Sequence, residues 1–280
     1  MQINQTEMLA ALAIVARDPM TYRSLAGLTR PGLPHPHEVL DIAISRRFGV
    51  EYQPLVDARS GDIVGYEALA RFYRANGEPV PPNLMFEALH EHPLLLLHVE
   101  LEMKRLQLAH APEAPRLFLN LDPDSFHLGE GLQHNLFVDM FRHHQQSDRQ
   151  ITVEVIENLS IQDVERSQEM ISVLKGAGFG VALDDMGVAG TVVSYDTLSE
   201  SSEVKFDRSW LTKRTPRRID ALQWFLGLCR AMEVRTVLEG IETDADLAFA
   251  RTAGFDWVQG FLFREHFVLR RPSHSQSCCN

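Results

Sequence analysis

The chain has 280 residues, with 45% hydrophobic and 23% charged side chains, and 38 acidic against 27 basic residues give it a formal charge of −11. That composition describes an ordinary globular protein with enough chain for one large core. The acidic excess argues against broad binding to DNA, RNA or an anionic membrane, because each needs a basic field. The three cysteines, Cys229, Cys278 and Cys279, form neither a disulfide framework nor a metal-ligand spacing, so a reducing cytoplasm is expected. No basic region followed by an apolar run opens the chain, so a secretory signal is not expected. The longest apolar run, Pro93 to Leu97, is far too short to span a bilayer.

Residues 1–46 read as a helical extension. Met8, Leu9, Leu12, Ile14 and Val15 form an apolar stripe that Pro19 ends. A short helix is expected over Thr21 to Leu28, and a third over His37 to Arg47. This extension is expected to pack on the main domain or to pair two subunits.

From Phe48 the texture changes to short Val-, Ile-, Leu- and Phe-rich runs separated by helical periodicity. Strands are expected near 49–55, 63–70, 116–121, 150–155, 179–183, 203–207, 235–239 and 256–261. Helices are expected at 82–91, 94–110, 131–145, 161–177, 191–199, 216–232 and 243–253. Eight strands alternating with helices suggest an α/β fold, a TIM-like (β/α)8 barrel over residues 47–268, followed by a flexible tail at 269–280. The link Asp57 to Asp62 is too short for a helical crossover, so one strand should run antiparallel.

In such barrels the chemistry collects at the carboxyl ends of the strands. Glu67, Asn120, Glu154, Asp184, Asp185, Lys205, Asp207, Glu239, Glu242 and Gln259 all fall in or just beyond these apolar runs. Five or six carboxylates converging on one mouth would repel strongly without cations. Carboxylates with an amide oxygen suit magnesium, manganese or calcium better than a thiolate-seeking metal. Hard cations beside a lysine and an arginine point to phosphate-ester hydrolysis. Each residue also has a plain structural reading: Asp184-Asp185 as a solvated turn, Lys205 paired with Asp207, Gln53-Pro54 as a strand break.

The motifs that carry these residues resemble the EAL domain family. They are Tyr52-Gln53-Pro54-Leu55-Val56-Asp57, Gly65-Tyr66-Glu67-Ala68-Leu69-Ala70-Arg71, Leu119-Asn120-Leu121 and Val153-Glu154-Val155-Ile156-Glu157. They continue in Leu183-Asp184-Asp185-Met186-Gly187, Val204-Lys205-Phe206-Asp207, Leu238-Glu239-Gly240-Ile241-Glu242 and Val258-Gln259-Gly260-Phe261. The resemblance implies hydrolysis of cyclic di-GMP to linear pGpG at a two-metal site holding Mg2+ or Mn2+. It implies Glu67, Asn120, Glu154 and Asp184 as ligands of one metal, with Asp184, Asp185 and Glu239 serving the second. Lys205 and Glu239 are the implied catalytic residues. Gln53, Leu69, Arg71, Asp207, Glu242 and Gln259 are implied to line the substrate, and Glu157 to anchor the loop after the paired aspartates. Family members often form a homodimer through that loop. Here the loop departs from the family pattern Asp-Asp-Phe-Gly-Thr-Gly-Tyr-Ser-Ser, reading Asp184-Asp185-Met186-Gly187-Val188-Ala189-Gly190-Thr191-Val192. That departure leaves a second possibility open, a receptor that binds cyclic di-GMP or a protein partner without cutting it.

Overall fold

The structure is a computed structural model, and it describes residues 33–130, 134–145, 149–156, 161–188 and 195–272. The expected helices over Met8 to Val15 and Thr21 to Leu28 lie outside those residues, as do Glu157 and residues 189–194. Ten strands occur among the described residues: β1 (Phe48–Asp57), β2 (Ile63–Tyr73), β3 (Pro79–Val80), β4 (Arg116–Asn120) and β5 (Gln150–Ile156), then β6 (Gly180–Met186), β7 (Glu203–Phe206), β8 (Arg235–Leu238), β9 (Trp257–Val258) and β10 (Val268–Arg270).

Eight of them close a barrel in the order β1-β9-β8-β7-β6-β5-β4-β2, with β1 joining β2 to shut the ring. Strand β1 runs antiparallel to both of its barrel neighbours, and the remaining barrel pairs are parallel. The short link between β1 and β2 had required this reversal. Strand β10 pairs with the start of β1, Val50 opposite Arg270, so the sheet continues through Arg270.

Helices cover the outside. Those at Pro36–Ile44, Pro82–His90, Pro93–Ala109, Pro123–Leu128 and Pro216–Ala231 all begin with proline, whose fixed φ suits a first turn that has no hydrogen bond to lose. The Pro36–Ile44 helix buries Val39, Ile42 and Ala43 against Phe48, Phe72, Met85 and Leu89, which fastens it to the barrel flank.

Two differences from the sequence reading have local causes. The eighth strand, expected over 256–261, is only Trp257–Val258, and Phe261–His266 is a 3-10 turn. Gly260 packs so closely on Ile241 that a Cβ would lie 2.2 Å from its carbonyl oxygen, and the chain turns away there. The helix expected at 131–145 begins at Leu136, because the Asn135 side chain caps Phe137 and Val138. The helix expected at 191–199 is described over Tyr195–Glu200.

Inside the barrel, Leu55, Phe118, Ala182, Val237 and Trp257 form one apolar layer. Below it Arg116 and Arg235 stack over Trp257 and flank the buried Glu203, closing the amino-terminal end. Side chains repeat faces every second residue along a strand, so the position two residues toward the other end also faces inward. From Phe118, Ala182, Val237 and Trp257 that step reaches Asn120, Asp184, Glu239 and Gln259. From Leu55, on the reversed strand, it reaches Gln53.

Candidate metal-centred active site

The layer above the apolar plug is polar and charged. The Lys205 ammonium is 1% exposed and stands 2.9 Å from Glu154, 2.8 Å from Glu239, 3.1 Å from Glu67 and 3.7 Å from Asp184. Glu67 also accepts hydrogen bonds from Asn120 Nδ2 at 2.9 Å and from Gln259 Nε2 at 2.6 Å. Strands β2, β4, β5, β6 and β7 and the residues that follow β8 and β9 therefore each send a side chain to one point.

The paired aspartates reach that point by an irregularity. Ordinary alternation would send Asp184 and Asp185 to opposite faces. Asp185 instead has φ +61°, in the left-handed region that aspartate tolerates better than most residues, and the β6–β7 register shifts between Leu183 and Met186. The shift behaves as a bulge that re-aims a side chain near the strand end. Its amide donates to Asp184 Oδ1 at 2.9 Å. One oxygen each from Asp184, Asp185 and Glu239 then lie within 4.8 Å of one another. Behind them Trp210 Nε1 donates to Met186 O at 2.9 Å.

The electrostatics show a site with too few positive charges. Burial works against an ionised Glu67, yet Lys205 and its hydrogen bonds outweigh it and hold the carboxyl at about 2. Burial, then the Glu67 charge, pushes Glu154 well above the carboxylate range. Asp184 is raised mainly by burial. Asp185 is pushed up to about 6 by burial and by its neighbours Asp184 and Asp207, and Glu239 to about 8, chiefly by burial. Burial alone would lower Lys205, but the surrounding carboxylates raise it well above its usual value.

These residues suit a hard cation. Glu154 is fully buried, and neither carboxylate oxygen has a hydrogen-bond partner despite its close ammonium neighbour. A buried carboxylate left so is costly, and an oxygen-seeking divalent ion would satisfy it.

The site's outer wall is the β1–β2 ribbon beyond the barrel mouth. Gln53 lies opposite Glu67 and Glu51 opposite Leu69 in the cross-strand register, with Arg71 at the next inward position. Arg71 Nη2 and Gln53 Nε2 both lie 2.8 Å from Glu51 Oε1, and Arg71 Nη1 also donates to Ala70 O at 2.8 Å. Glu51 is the residue that sequence reasoning missed. Its signal was available in the two-residue spacing from Gln53, which puts both on one face. Asp207 accepts from Ser209 N at 2.7 Å, and Glu242 pairs with Arg208 at 3.3 Å at the rim. Among the described residues neither pairs with Lys205, although the Asp207 charge acts on Asp185.

The chain has relatives among known proteins. The EAL domain family model matches residues 37–266. The probable cyclic di-GMP phosphodiesterase PdeB of Escherichia coli K12 is 28% identical over 262 residues, covering 88% of this chain and 49% of that protein. The bifunctional diguanylate cyclase/cyclic di-GMP phosphodiesterase MucR of Pseudomonas aeruginosa is 26% identical, covering 81% of this chain and 34% of that protein. The chain thus spans half or less of the length of these curated relatives. Among solved structures, the PaMucR phosphodiesterase in complex with c-di-GMP is 25% identical, covers 81% of this chain and 94% of that one, and superposes with a TM-score of 0.65. The Bacillus subtilis YkuI protein, solved with c-di-GMP and calcium, shares the fold at a TM-score of 0.70 and 20% identity, covering 86% of this chain and 60% of that one.

Proposed function

The chain belongs to the EAL domain family, and from that membership we propose that it is a metal-dependent phosphodiesterase that opens cyclic di-GMP to linear pGpG. The observation that carries the reading is the five-carboxylate cluster gathered at the buried ammonium of Lys205. Named relatives and the PaMucR complex supply the substrate class.

Glu67, Asn120, Glu154 and Asp184 would hold one Mg2+ or Mn2+, and Asp184, Asp185 and Glu239 a second. Such a pair, when bound, lowers the pKa of water and steadies the leaving oxygen of an in-line displacement. Lys205 donates to the attacking water and orients it toward phosphorus. Glu239 accepts the proton that the water loses. The new P–O bond forms as the bond to the ribose 3′ oxygen breaks, and a proton ends on that oxygen. Arg71 presents a planar guanidinium to a phosphate, with Glu51 holding its orientation. Gln53, Leu69, Asp207, Glu242 and Gln259 line the bound nucleotide, and Glu157 anchors the loop after β6.

The test is direct: purified protein with cyclic di-GMP and Mn2+ or Mg2+ should release pGpG by chromatography. No product with any divalent cation overturns it. The altered sequence from Met186 to Val192 favours a second reading, a catalytically weak or inactive module that binds cyclic di-GMP or a protein partner as a receptor and leaves the nucleotide intact. Measurable affinity without turnover selects that reading, and replacing Met186 to Val192 with the family's loop would then restore cutting.

A further inference from the structure

Strands β2 and β4 part at a fork beside the carboxylate cluster. Their parallel register ends with Ala68 opposite Leu119, and β2 then continues as a ribbon with β1. Glu67 stands just before that last pair on one prong, and Asn120 just after it on the other. Asn120 Nδ2 donates to Glu67 Oε1 at 2.9 Å across the gap. How the fork opens therefore sets the separation of two side chains that would share one cation.

The fork is pinned from outside the barrel. Tyr52 and Ala68 are cross-strand partners one step from Gln53 and Glu67, so they take the opposite face and pack with Leu101 and Leu108 of the Pro93–Ala109 helix. From that helix Gln107 Nε2 donates to the Ala68 carbonyl at 2.7 Å, and the Tyr52 hydroxyl donates to the Gln107 carbonyl at 2.7 Å. The Gln107 carbonyl lies in the last turn of the helix, where carbonyls lack a partner within it. Tyr52, Ala68 and Gln107 are all buried. Gln107 holds this place at a cost, because its Oε1 is buried without a hydrogen-bond partner. A methionine or leucine would fill the same space with no unpaired amide oxygen, but would give the Ala68 carbonyl no donor from the helix. The donor, rather than the bulk, is what the glutamine supplies.

We propose that Gln107, with Tyr52 seating its helix, is a positioning residue for the metal site: its amide fixes the Ala68 peptide and, through it, the Glu67 carboxylate against Asn120. The inference rests on the reading of the cluster as a divalent-cation site and adds two residues that stand behind its ligands.

Calorimetric titration of the full chain with Mn2+, without nucleotide, tests it. Gln107→Met keeps the length and removes the donor, and should weaken Mn2+ binding roughly tenfold, the scale for groups that orient a metal's ligands. Leu108→Ala truncates the neighbouring core residue on the same helix, and should lower the melting temperature while leaving Mn2+ affinity as in wild type. Tyr52→Phe loses one hydroxyl and should weaken Mn2+ binding by less than Gln107→Met; it carries the test if Gln107→Met does not fold. Wild-type affinity in folded Gln107→Met, or in Tyr52→Phe where Gln107→Met does not fold, overturns the positioning role and leaves the functional reading standing. An equal loss of affinity in Leu108→Ala does the same, since general loosening of the helix would then account for it. If wild-type protein binds no Mn2+, both fall.

Discussion

Trp210 Nε1 donates to Met186 O at 2.9 Å, and its indole occupies the space where a side chain at residue 187 would stand. Gly187 has φ +97°, and a Cβ there would lie 2.1 Å from that nitrogen. The tryptophan thus holds the end of β6 in the conformation that presents Asp184 and Asp185. Gly187→Ala combines an unfavourable backbone with a clash, and should cost about 1–3 kcal/mol. Urea denaturation measures this loss, and the variant's metal affinity should fall with it.

Among the described residues, Lys205 is the one positive charge paired with the carboxylates of the cluster. Lys205→Met removes the charge and keeps the length. In chelator-treated protein it should lower stability by about 3 kcal/mol, the usual scale for breaking a buried ion pair. Divalent cation should restore much of that stability, whereas kcat should stay down by roughly 10²–10⁴-fold. Paired melting curves and steady-state kinetics separate the two effects.

Two carboxyls of the cluster, Asp185 and Glu239, titrate above the ordinary carboxylate range, chiefly because they are buried. Asp185 moves from 3.8 to about 6 and Glu239 from 4.5 to about 8. Between those limits the folded chain binds more protons than the unfolded chain, so its stability falls as pH rises. Metal-free protein should therefore be more stable near pH 5 than near pH 8, as far as these two groups decide it. Cation binding displaces the protons, so metal affinity should rise through the same window. Proton release, measured in buffers of different ionisation enthalpy, should shrink above pH 8.

Away from the mouth, His90 links its helix to the start of the Pro123–Leu128 helix. Its Nε2 lies 2.8 Å from Asp122 Oδ2 and its Nδ1 2.8 Å from Phe86 O, so both ring nitrogens face acceptors. The Asp122 hydrogen bond, against the opposing effect of burial, raises the ring from 6.5 to about 9. A raised cation stabilises fully below its unfolded pKa, and the contribution is lost as pH rises through the folded value. His90→Gln should be less stable than wild type at pH 6 and equal to it above about pH 9. The ring is 42% exposed, so the difference should be about 1 kcal/mol or less. Denaturation curves at the two pH values decide it.

The sequence by itself determined the barrel and the reversal of its first strand. Apolar runs at regular spacing set the strands, and the six-residue link Asp57 to Asp62 left no room for a crossover. It also determined which strand ends carry acids, because a carboxylate closing an apolar run is visible in one dimension. Only the tertiary structure decided what those acids face. Lys205 and Glu67 are 138 residues apart and meet because adjacent inward layers coincide at the mouth. The bulge at Asp185, the short ninth strand, and Glu51 beside Arg71 were equally hidden. Each depends on a neighbour brought in by barrel closure: β7 for the register shift, Ile241 for the turn at Gly260, and β2 for the arginine that Glu51 holds. Local pattern fixes which face a side chain takes, and closure of the ring fixes its partners.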